Sequence, residues 1–296
     1  MEETKRPKGI LVWPIVKLAS LTKKGWPGWT VLIGLIIVIS IVVMTIIAPY
    51  ISPYDPNALN TGPLFGPPCP AHPFGTNHLG QDMFSRVLWG GSTMLQVALL
   101  SVLICFVIGV PIGLFSSYIG GNLDKVISLI MDSIYAFPGL ILAIAIAVML
   151  GRGVVNIALS IAVIYIPSYF RIVRSQVLTI KEMTYVEAAR AIGARKRTIL
   201  AHYILPNVIP SIVTVATINF ADAILTAAGL TFLGWGVEVD VPDWGWDLYY
   251  GRQYLPSKAW WIILFPGLMI ILLALGFTFI GEGLSEILNP RLREGE

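Results

Sequence analysis

Long apolar stretches that are almost free of charge alternate with short polar segments along this chain of 296 residues. A helix needs about 20 apolar residues to cross a hydrocarbon core of roughly 30 Å, because each residue adds about 1.5 Å. Six stretches meet this length. They lie at residues 29–48, 93–118, 126–150, 153–173, 207–229 and 259–281. The pattern therefore predicts an all-α integral membrane protein with six transmembrane helices.

The polar segments complete the predicted organisation. Residues 1–28 form a predicted cytoplasmic N-terminal arm with an amphipathic helix over residues 10–21, and they lack the apolar core and cleavage site of a signal peptide. Residues 29–283 form the predicted membrane domain and residues 284–296 a cytoplasmic tail. The segment 49–92 contains eight prolines, which favours a turn-rich loop over long helices.

Composition and charge agree with a membrane protein and suggest its orientation. Hydrophobic residues make up 56% of the chain and charged residues 12%, against about 25% charged in typical soluble proteins. Most of the 20 lysines and arginines fall on one side if the N-terminus is inside, which predicts both termini in the cytoplasm of a multi-pass cell-membrane protein. The net charge of +3 follows this distribution, so no nucleic-acid partner is expected.

The polar segment between the fourth and fifth predicted spans, residues 181–206, is named the knob. Thr184 and Glu187 match a capping box for a helix start, and Gly193 matches a helix end. A second short helix is predicted from Arg195 to Tyr203, ending before Pro206 restarts the chain as the fifth span. On residue types alone, the knob suits either a protein contact or an amphipathic loop resting on anionic lipid.

The spacing of particular residues in the knob adds a family resemblance. Glu187-Ala188-Ala189, three residues, Gly193, nine residues and then Tyr203-Ile204-Leu205-Pro206 resembles the EAA loop of ABC importer permeases, with Tyr203 where that family usually has isoleucine. The resemblance implies that the knob forms coupling helices that dock on a cytoplasmic ATPase. The residues implied in this contact are Tyr185, Glu187, Ala188, Ala189, Ala191, Gly193, Ala194, Arg195, Leu205 and Pro206.

Three further stretches resemble one branch of these permeases. "HPFGTNHLGQDMFSRVLWGGSTML", "AAGLTFLGWGV" and the segment from "AWWIILFPG" to "LNPRLR" are similar to the inner subunit type of dipeptide, oligopeptide and nickel importers. The resemblance implies a homologous second permease subunit, two ABC ATPase subunits and an extracytoplasmic solute-binding protein. Peptides are the first expected solute, with oligosaccharides or nickel as alternatives. Glu282, Glu286 and Asn289 stand where the branch has aspartate, so the chain departs from the branch at these positions.

Two acidic residues inside predicted spans are candidates for function. Asp222 is expected either to line a translocation route or to bond to a neighbouring helix or partner subunit, because a buried carboxylate in a membrane is costly. Asp132, near the inner boundary, is expected to be structural.

Cys69, His72 and His78 are spaced too loosely for a compact metal site, so no metal is predicted. A disulfide between Cys69 and Cys105 is not expected, because they lie at different depths.

The chain is not expected to be an enzyme. It lacks the Gly-x-x-x-x-Gly-Lys-Ser/Thr loop that holds nucleotide phosphates, so ATP and Mg²⁺ are expected on partner subunits, and the chain has no predicted cofactor or catalytic residue. The predicted spans contain no HExxH or GxSxG motif, which speaks against an intramembrane hydrolase. An ion-coupled secondary transporter, with Asp222 and Asp132 as coupling sites, remains a second class of function.

Overall fold

The computed structural model of the chain describes residues 25–238 and 240–288, and it places most of them in helices. The helices are α1 (Trp26–Ile51), α2 (Met83–Ile119), α3 (Gly121–Tyr135), α4 (Gly139–Leu150), α5 (Val154–Ile180), α6 (Thr184–Ala191), α7 (Lys196–Thr198), α8 (Leu205–Phe232), α9 (Trp244–Gly251) and α10 (Trp261–Leu288). The amphipathic helix predicted in the arm and the tail from residue 289 lie outside the described residues.

Five described helices are long and apolar enough to cross a membrane, or six if the bent pair α3 and α4 counts as one span. In this bundle α2 packs along α5 and α1 along α10, while α8 contacts α2, α5 and α10. The α1–α10 contact is close because Gly34 has no side chain. A Cβ atom at Gly34 would lie 2.5 Å from the carbonyl oxygen of Gly276.

The two ends of the bundle differ in their connections. One end, named the loop end, carries residues 52–82, 151–153, 233–238 and 240–260, and the opposite end carries the knob. A hydrophobic core cluster that includes Val173, Ile199 and Ile204 lies towards the knob. A larger cluster that includes Met94, Trp244 and Trp246 lies towards the loop end. As expected from the prolines, residues 52–82 form turns and bends and no helix.

The second span begins earlier than expected. Its predicted start was residue 93, but α2 begins at Met83 because Asp82 caps it, with Asp82 Oδ2 accepting a hydrogen bond of 2.8 Å from the backbone N–H of Ser85. The first turn of α2 is buried by the loop end, including Met83 and Arg86. This helix of 37 residues therefore extends well beyond the apolar stretch that hydropathy identifies.

The third predicted span, residues 126–150, is wrong as a single helix. It is divided into α3 and α4, which meet at an angle of 91°. Pro138 precedes α4 with non-helical backbone angles, φ −57° and ψ 118°. Proline has no N–H to continue the helical hydrogen bonds and disfavours helical geometry in the residue before it, so the helix stops at Tyr135.

The second short helix predicted in the knob does not end before Pro206. Residues 196–232 form one continuous helix in which a π-helical segment, Ile199–Ile204, joins α7 to α8. At the end of this segment the N–H of Leu205 donates to the carbonyl of Leu200, five residues earlier. The wider turn accommodates Pro206 at the start of α8 without a break, because the proline needs no hydrogen-bond acceptor of its own.

Candidate functional site

The knob is anchored to the bundle by one face of α6. Val186 is fully buried in the knob-end cluster with Ile199 and Ile204, and Ala189, one turn along α6, is also buried. The side chain of Asn207 donates a hydrogen bond of 3.2 Å to the hydroxyl of Tyr185, which links α6 to the first turn of α8. These contacts hold α6 against the helices that cross the bundle.

Gly193 ends α6 with a Schellman motif. Its backbone adopts φ +82°, the left-handed region that favours glycine. The N–H of Ala194 donates to the carbonyl of Ala189 at 3.0 Å, and the N–H of Gly193 donates to that of Arg190 at 3.1 Å, which is the bonding pattern of this motif. The glycine cap predicted from the sequence is therefore present. The predicted capping box is wrong, because Met183 is the N-cap and no side chain caps the helix start.

The other faces of α6 and the turn after it are exposed. Ile192 is 83% exposed, and Tyr185 and Ala188 lie on the same side of the helix at spacings of three and four residues. The predicted contact residues Glu187, Ala191, Gly193, Arg195 and Pro206 are exposed, whereas Ala194 and Leu205 are half-buried. Ala189 differs from this group because it contacts its own chain.

The charges of the knob have no ionic partners within residues 25–238 and 240–288. The four ion pairs found there join His72 with Asp82, Arg86 with Asp247, Arg171 with Asp132, and Arg174 with Asp124. None includes Glu187 or the exposed basic residues Arg190, Arg195, Lys196 and Arg197. The knob therefore presents an apolar strip of Tyr185, Ala188 and Ile192 beside uncompensated charges.

Asp222 lines a cavity of about 340 Å³ beside the break between α3 and α4. Tyr135 and Phe137 line it at the break, and Tyr165 and Thr226, whose hydroxyl groups are 2.9 Å apart, line it from α5 and α8. Asp222 is half-buried and forms no ion pair among the described residues. The cavity thus brings a carboxyl group, hydroxyl groups and aromatic rings to one place within the bundle.

Asp132 has a different environment, because it pairs with Arg171 of α5 at 2.8 Å. The guanidinium of Arg171 also lies 4.0 Å from the ring centroid of Tyr135, and Arg174 pairs with Asp124 at 2.7 Å. These contacts tie α3 to α5, which agrees with the structural role expected for Asp132.

A second cavity, of about 620 Å³, lies near the knob between α5, α8 and α10 and was missed from the sequence. Hydroxyl groups of Ser175, Thr179, Ser211, Thr214 and Ser285 line much of it. Ser175 and Thr179 are four residues apart and Ser211 and Thr214 three apart, so each pair shares one face of an apolar helix. This polar spacing is the signal that sequence reasoning did not use.

The cysteine and histidine candidates at the loop end do not converge. Cys69 is exposed and Cys105 buried, and both are free thiols. His72 Nδ1 lies 2.9 Å from Asp82 Oδ1, whereas the ring of His78 packs against Tyr250 and Tyr254. Among the described residues no group of three or more histidine, cysteine, aspartate or glutamate side chains has the arrangement to hold a metal ion.

Comparison with known proteins identifies the family. The sequence model of the binding-protein-dependent transport system inner membrane component matches residues 109–294, and that of the N-terminal TM domain of oligopeptide transport permease C matches residues 29–68. The first covers more than half of the chain. The first match includes the knob, and the second includes most of α1.

Curated relatives match over most of their length. A dipeptide transport system permease protein, DppC, of Alkalihalophilus pseudofirmus is 38% identical over 88% of this chain and 86% of its own. A probable D,D-dipeptide transport system permease protein, DdpC, of Escherichia coli is 38% identical over 86% of each chain. A glutathione transport system permease protein, GsiD, of E. coli is 39% identical over 86% of this chain and 84% of its own.

Solved structures show a related fold. A chain from inward-facing conformations of the MetNI methionine ABC transporter superposes with a TM-score of 0.58 at 22% identity, over 70% of this chain and 98% of its own. With the fold, the family match and the curated relatives in agreement, this chain belongs to the inner membrane components of binding-protein-dependent transport systems, as a multi-pass permease subunit of an ABC importer.

Proposed function

We propose that the chain forms half of a translocation pathway and that its knob is the contact through which partner ATPase subunits drive transport. The partners are a homologous second permease, two ABC ATPases that bind ATP and Mg²⁺, and an extracytoplasmic solute-binding protein. In this proposal the knob and both termini lie in the cytoplasm and the loop end faces outward.

One observation carries the coupling proposal: one face of α6 is buried, whereas the other is exposed and carries apolar side chains and a charge without an ionic partner. Val186 and Ala189 anchor it, while the strip of Tyr185, Ala188 and Ile192 and the unpaired charge of Glu187 face away from the bundle. An exposed apolar strip with charges at its rim is typical of a protein contact. The continuous helix from residue 196 to 232 joins this contact to the cavity of Asp222, so a displacement of the knob moves a pathway helix as a rigid body.

Within this scheme Asp222 and the hydroxyl-lined cavity near the knob lie on the route of the solute. Ionisable and polar groups in membrane helices typically face a water-filled path or a protein interior, because lipid exposure is costly. α8 contributes to both cavities, with Asp222 and Thr226 in one and Ser211 and Thr214 in the other. Di- and oligopeptides are the proposed solutes, because the curated relatives are named for dipeptides and glutathione.

Two substitutions test the coupling. Glu187→Lys reverses an exposed charge, and Gly193→Asp introduces a charged side chain at the positive φ that ends α6. Both variants are expected to insert in the membrane at wild-type levels but to lose peptide-dependent uptake and ATPase stimulation. Glu238→Gln, an exposed carboxylate at the loop end, is the matched control and is expected to retain both. Full uptake in both knob variants would refute the proposal.

Cysteine chemistry tests the orientation and the partner. Native Cys69 is exposed at the loop end and is expected to react with a membrane-impermeant maleimide on intact cells, whereas Cys105 is buried. In a Cys69→Ser background, Ile192→Cys is expected to react only after the membrane is opened. Ala188→Cys is expected to crosslink to an ATPase subunit, with buried Ala189→Cys as the control. Labelling of Ile192→Cys from outside would place the knob on the wrong side.

The solute is tested by reconstitution. The permease pair, the ATPases and the binding protein are placed in proteoliposomes, and ATP turnover is measured with binding protein loaded with dipeptides, oligosaccharides or nickel. Peptides are expected to give the strongest stimulation. Stimulation by sugar or nickel alone would replace the proposed solute and leave the coupling proposal in place. Asp222→Ala is expected to lower peptide uptake, and unchanged uptake would remove Asp222 from the route.

A further inference from the structure

The cavity that Asp222 lines holds a negative charge, and none of its described lining residues is positive. Apart from this carboxylate, the lining side chains are apolar, aromatic, hydroxyl or amide groups. Arg171, whose guanidinium lies over the ring of Tyr135, is already paired with Asp132 at 2.8 Å. The hydroxyl-lined cavity near the knob differs, because its described lining on α5, α8 and α10 carries no charged residue. The two cavities along α8 therefore differ in charge.

The carboxylate of Asp222 is open to its cavity. Asp222 is half-buried and has no hydrogen-bond or ion-pair partner among residues 25–238 and 240–288. The unpartnered polar atoms of these residues that are closed off from solvent include Asn219 Nδ2 but no oxygen of Asp222 or of Ser168, a second lining residue without a partner. A ligand in the cavity can therefore reach the carboxylate and the Ser168 hydroxyl, whereas the amide nitrogen of Asn219 is out of reach.

The other accessible groups of the lining favour a cation. The hydroxyl groups of Tyr165 and Thr226 bond to each other at 2.9 Å, and their oxygens keep lone pairs for a further donor. Phe137 is 61% exposed and its ring contacts no other ring in the described structure. The ring of Tyr135 is excluded as a free wall, because Arg171 already covers it. The cavity thus offers one negative charge, several acceptors and one free aromatic ring.

We propose that Asp222 binds the ammonium end of a peptide in transit, with the Ser168 hydroxyl as a second acceptor and the ring of Phe137 as an aromatic wall. The identity of this ligand rests on the proposed peptide transport, whereas the preference for positive charge rests on the cavity itself. An ammonium group donates three hydrogen bonds, and a carboxylate forms the stronger, charge-assisted kind. An aromatic ring adds an attraction for the cation.

Three other occupants fit less well. An anion such as a peptide carboxylate would be repelled by Asp222. A metal ion needs several ligands together, and the described residues contain no group of three or more histidine, cysteine or acidic side chains placed to supply them. A lysine or arginine of the second permease would neutralise Asp222, but the volume of about 340 Å³ lies within the range of small-molecule sites, roughly 300–1,000 Å³.

A single charged contact also suits a solute that must leave again. Binding along a transport route has to be strong enough to admit the solute and weak enough to release it. In the cavity near the knob, Ser175 Oγ donates to the carbonyl of Ile172 and Thr179 Oγ1 to that of Ser175. These hydroxyl oxygens are left as uncharged acceptors for N–H groups. A peptide that leaves Asp222 therefore enters a site without charge, which makes few demands on its side chains.

Thiol labelling measures the charge preference directly. Ser168→Cys is made in a Cys69→Ser background, and the full complex is held in lipid nanodiscs without binding protein or ATP. Its reaction rates are measured with cationic trimethylammonioethyl and anionic sulfonatoethyl methanethiosulfonate, each divided by the rate of that reagent with free cysteine. The cationic reagent is expected to react at least about tenfold faster, because charges interact strongly in a low-dielectric site. Equal rates, or a faster anionic reagent, would overturn the proposal.

Three variants assign this preference to Asp222. Asp222→Asn is expected to lower the rate ratio to about one, and Asp222→Glu to preserve most of it. Glu238→Gln is the matched control, an exposed carboxylate outside the cavity, and is expected to leave the ratio unchanged. A ratio that Asp222→Asn does not lower would contradict the assignment.

A second thiol keeps the test decisive if the partner subunit covers residue 168. Phe137→Cys places it at the exposed side of the same cavity. The same charge preference is expected there. Absence of reaction at both positions would overturn the proposal, because a cavity closed to small reagents is also closed to a peptide, as expected if the second permease fills it.

Protection by ligands tests the ammonium group. L-Alanyl-L-alaninamide carries this group, its N-acetyl derivative lacks it, and neither has a carboxylate. The free amine is expected to protect the Ser168→Cys thiol at an about tenfold lower concentration, the ratio that one charge-assisted bond provides. Equal protection by the two compounds, or none, would refute the ammonium site.

Uptake with peptide-loaded binding protein separates this failure from that of the proposed function. Normal peptide uptake without a charge preference at Asp222 refutes only the ammonium site. A charge preference and selective protection by the free amine in a transporter that imports sugar or nickel but no peptides would support the site and refute the proposed solute.

Discussion

The loop end and the knob use their polar groups in opposite ways. At the loop end, buried bonds join distant parts of the chain: Arg86 to Asp247, Trp244 Nε1 to the carbonyl of Val87 at 2.8 Å, and Trp261 Nε1 to that of Thr76 at 3.0 Å. In the knob the bonds are mostly local, as in the Gly193 cap, and the charges remain exposed.

This difference indicates that residues at the two ends have different roles. Long-range buried bonds make the loop end a closed cap whose residues stabilise the subunit itself. The knob is held by a few apolar side chains, and its remaining surface is free to contact another chain. Substitutions at the loop end should therefore change the free energy of unfolding, whereas those on the exposed knob should change coupling and leave stability almost unaltered.

The largest effect is expected from Arg86→Met. It leaves the buried carboxylate of Asp247 without its cation, a change that typically costs about 3–5 kcal/mol. Thermal unfolding of the purified subunit in detergent measures the loss. The double variant with Asp247→Leu should recover part of it, since both charges are then removed. Arg252→Met, at an exposed arginine of the same end, is the control and should cost far less. Equal losses for the two arginines would break the comparison.

A pH effect is expected next, at Asp243, which caps α9 by accepting a hydrogen bond from Trp246 N–H at 3.0 Å. Burial raises the pKa of Asp243 from 3.8 to about 7. Between these values the folded state holds a proton that the unfolded state has lost, so stability falls as the pH rises from about 4 to about 7. Asp243→Asn keeps the cap and should flatten this dependence in unfolding measured at pH 5 and pH 8. An unchanged slope would contradict the assignment.

A smaller effect is expected at Gly193. A Cβ atom there meets nothing within 4 Å, so Gly193→Ala should cost only the strain of a positive φ, about 1 kcal/mol, confined to the end of α6. Gly193→Asn should cost less, because asparagine tolerates this conformation. Hydrogen exchange of the Ala194 amide, which bonds to Ala189, measures the local opening. Equal protection in all three proteins would indicate that the turn does not need glycine.

The smallest effect on stability is expected at the exposed basic residues. Arg195→Gln combined with Lys196→Gln should change the free energy of unfolding by less than about 0.5 kcal/mol, because neither side chain has an ionic partner within the described residues. Association with the ATPase subunits should weaken and depend less on salt. A loss of stability comparable to that of Arg86→Met would show that the knob is part of the subunit's own core.

Hydropathy predicted most of the membrane helices because an apolar run is a local property. It could not place the start of α2, since the burial of Arg86 depends on Asp247, 161 residues away. The same limit applies to the burial of Trp244 and Trp246, which depends on contacts with distant residues such as Val87. Pro138 was a signal for the bend before α4. The bend was missed because the uncharged run around Pro138 was interpreted as one continuous helix.

In the candidate site, too, the features set by neighbouring residues were predictable and those set by packing with distant residues were not. Gly193 was predictable because a helix cap is decided by neighbouring residues. The burial of Ala189 against its own chain was not predictable, because the face that α6 turns towards the bundle depends on its packing with Ile199 and Ile204. The continuity through Pro206 was missed because proline normally marks a helix start, and only the π segment makes an uninterrupted path possible here.

The sharp bend between α3 and α4 has a consequence for the surrounding lipid. The 12 residues of α4 span only about 18 Å along the helix axis, well short of a hydrocarbon layer of roughly 30 Å. At this flank the subunit matches a thinner bilayer than at α1, whose 26 residues exceed the full depth. Wherever α4 faces lipid and not a partner subunit, the acyl chains beside it are expected to be compressed relative to those beside α1, and membrane thickness becomes a physical variable to which this flank is sensitive.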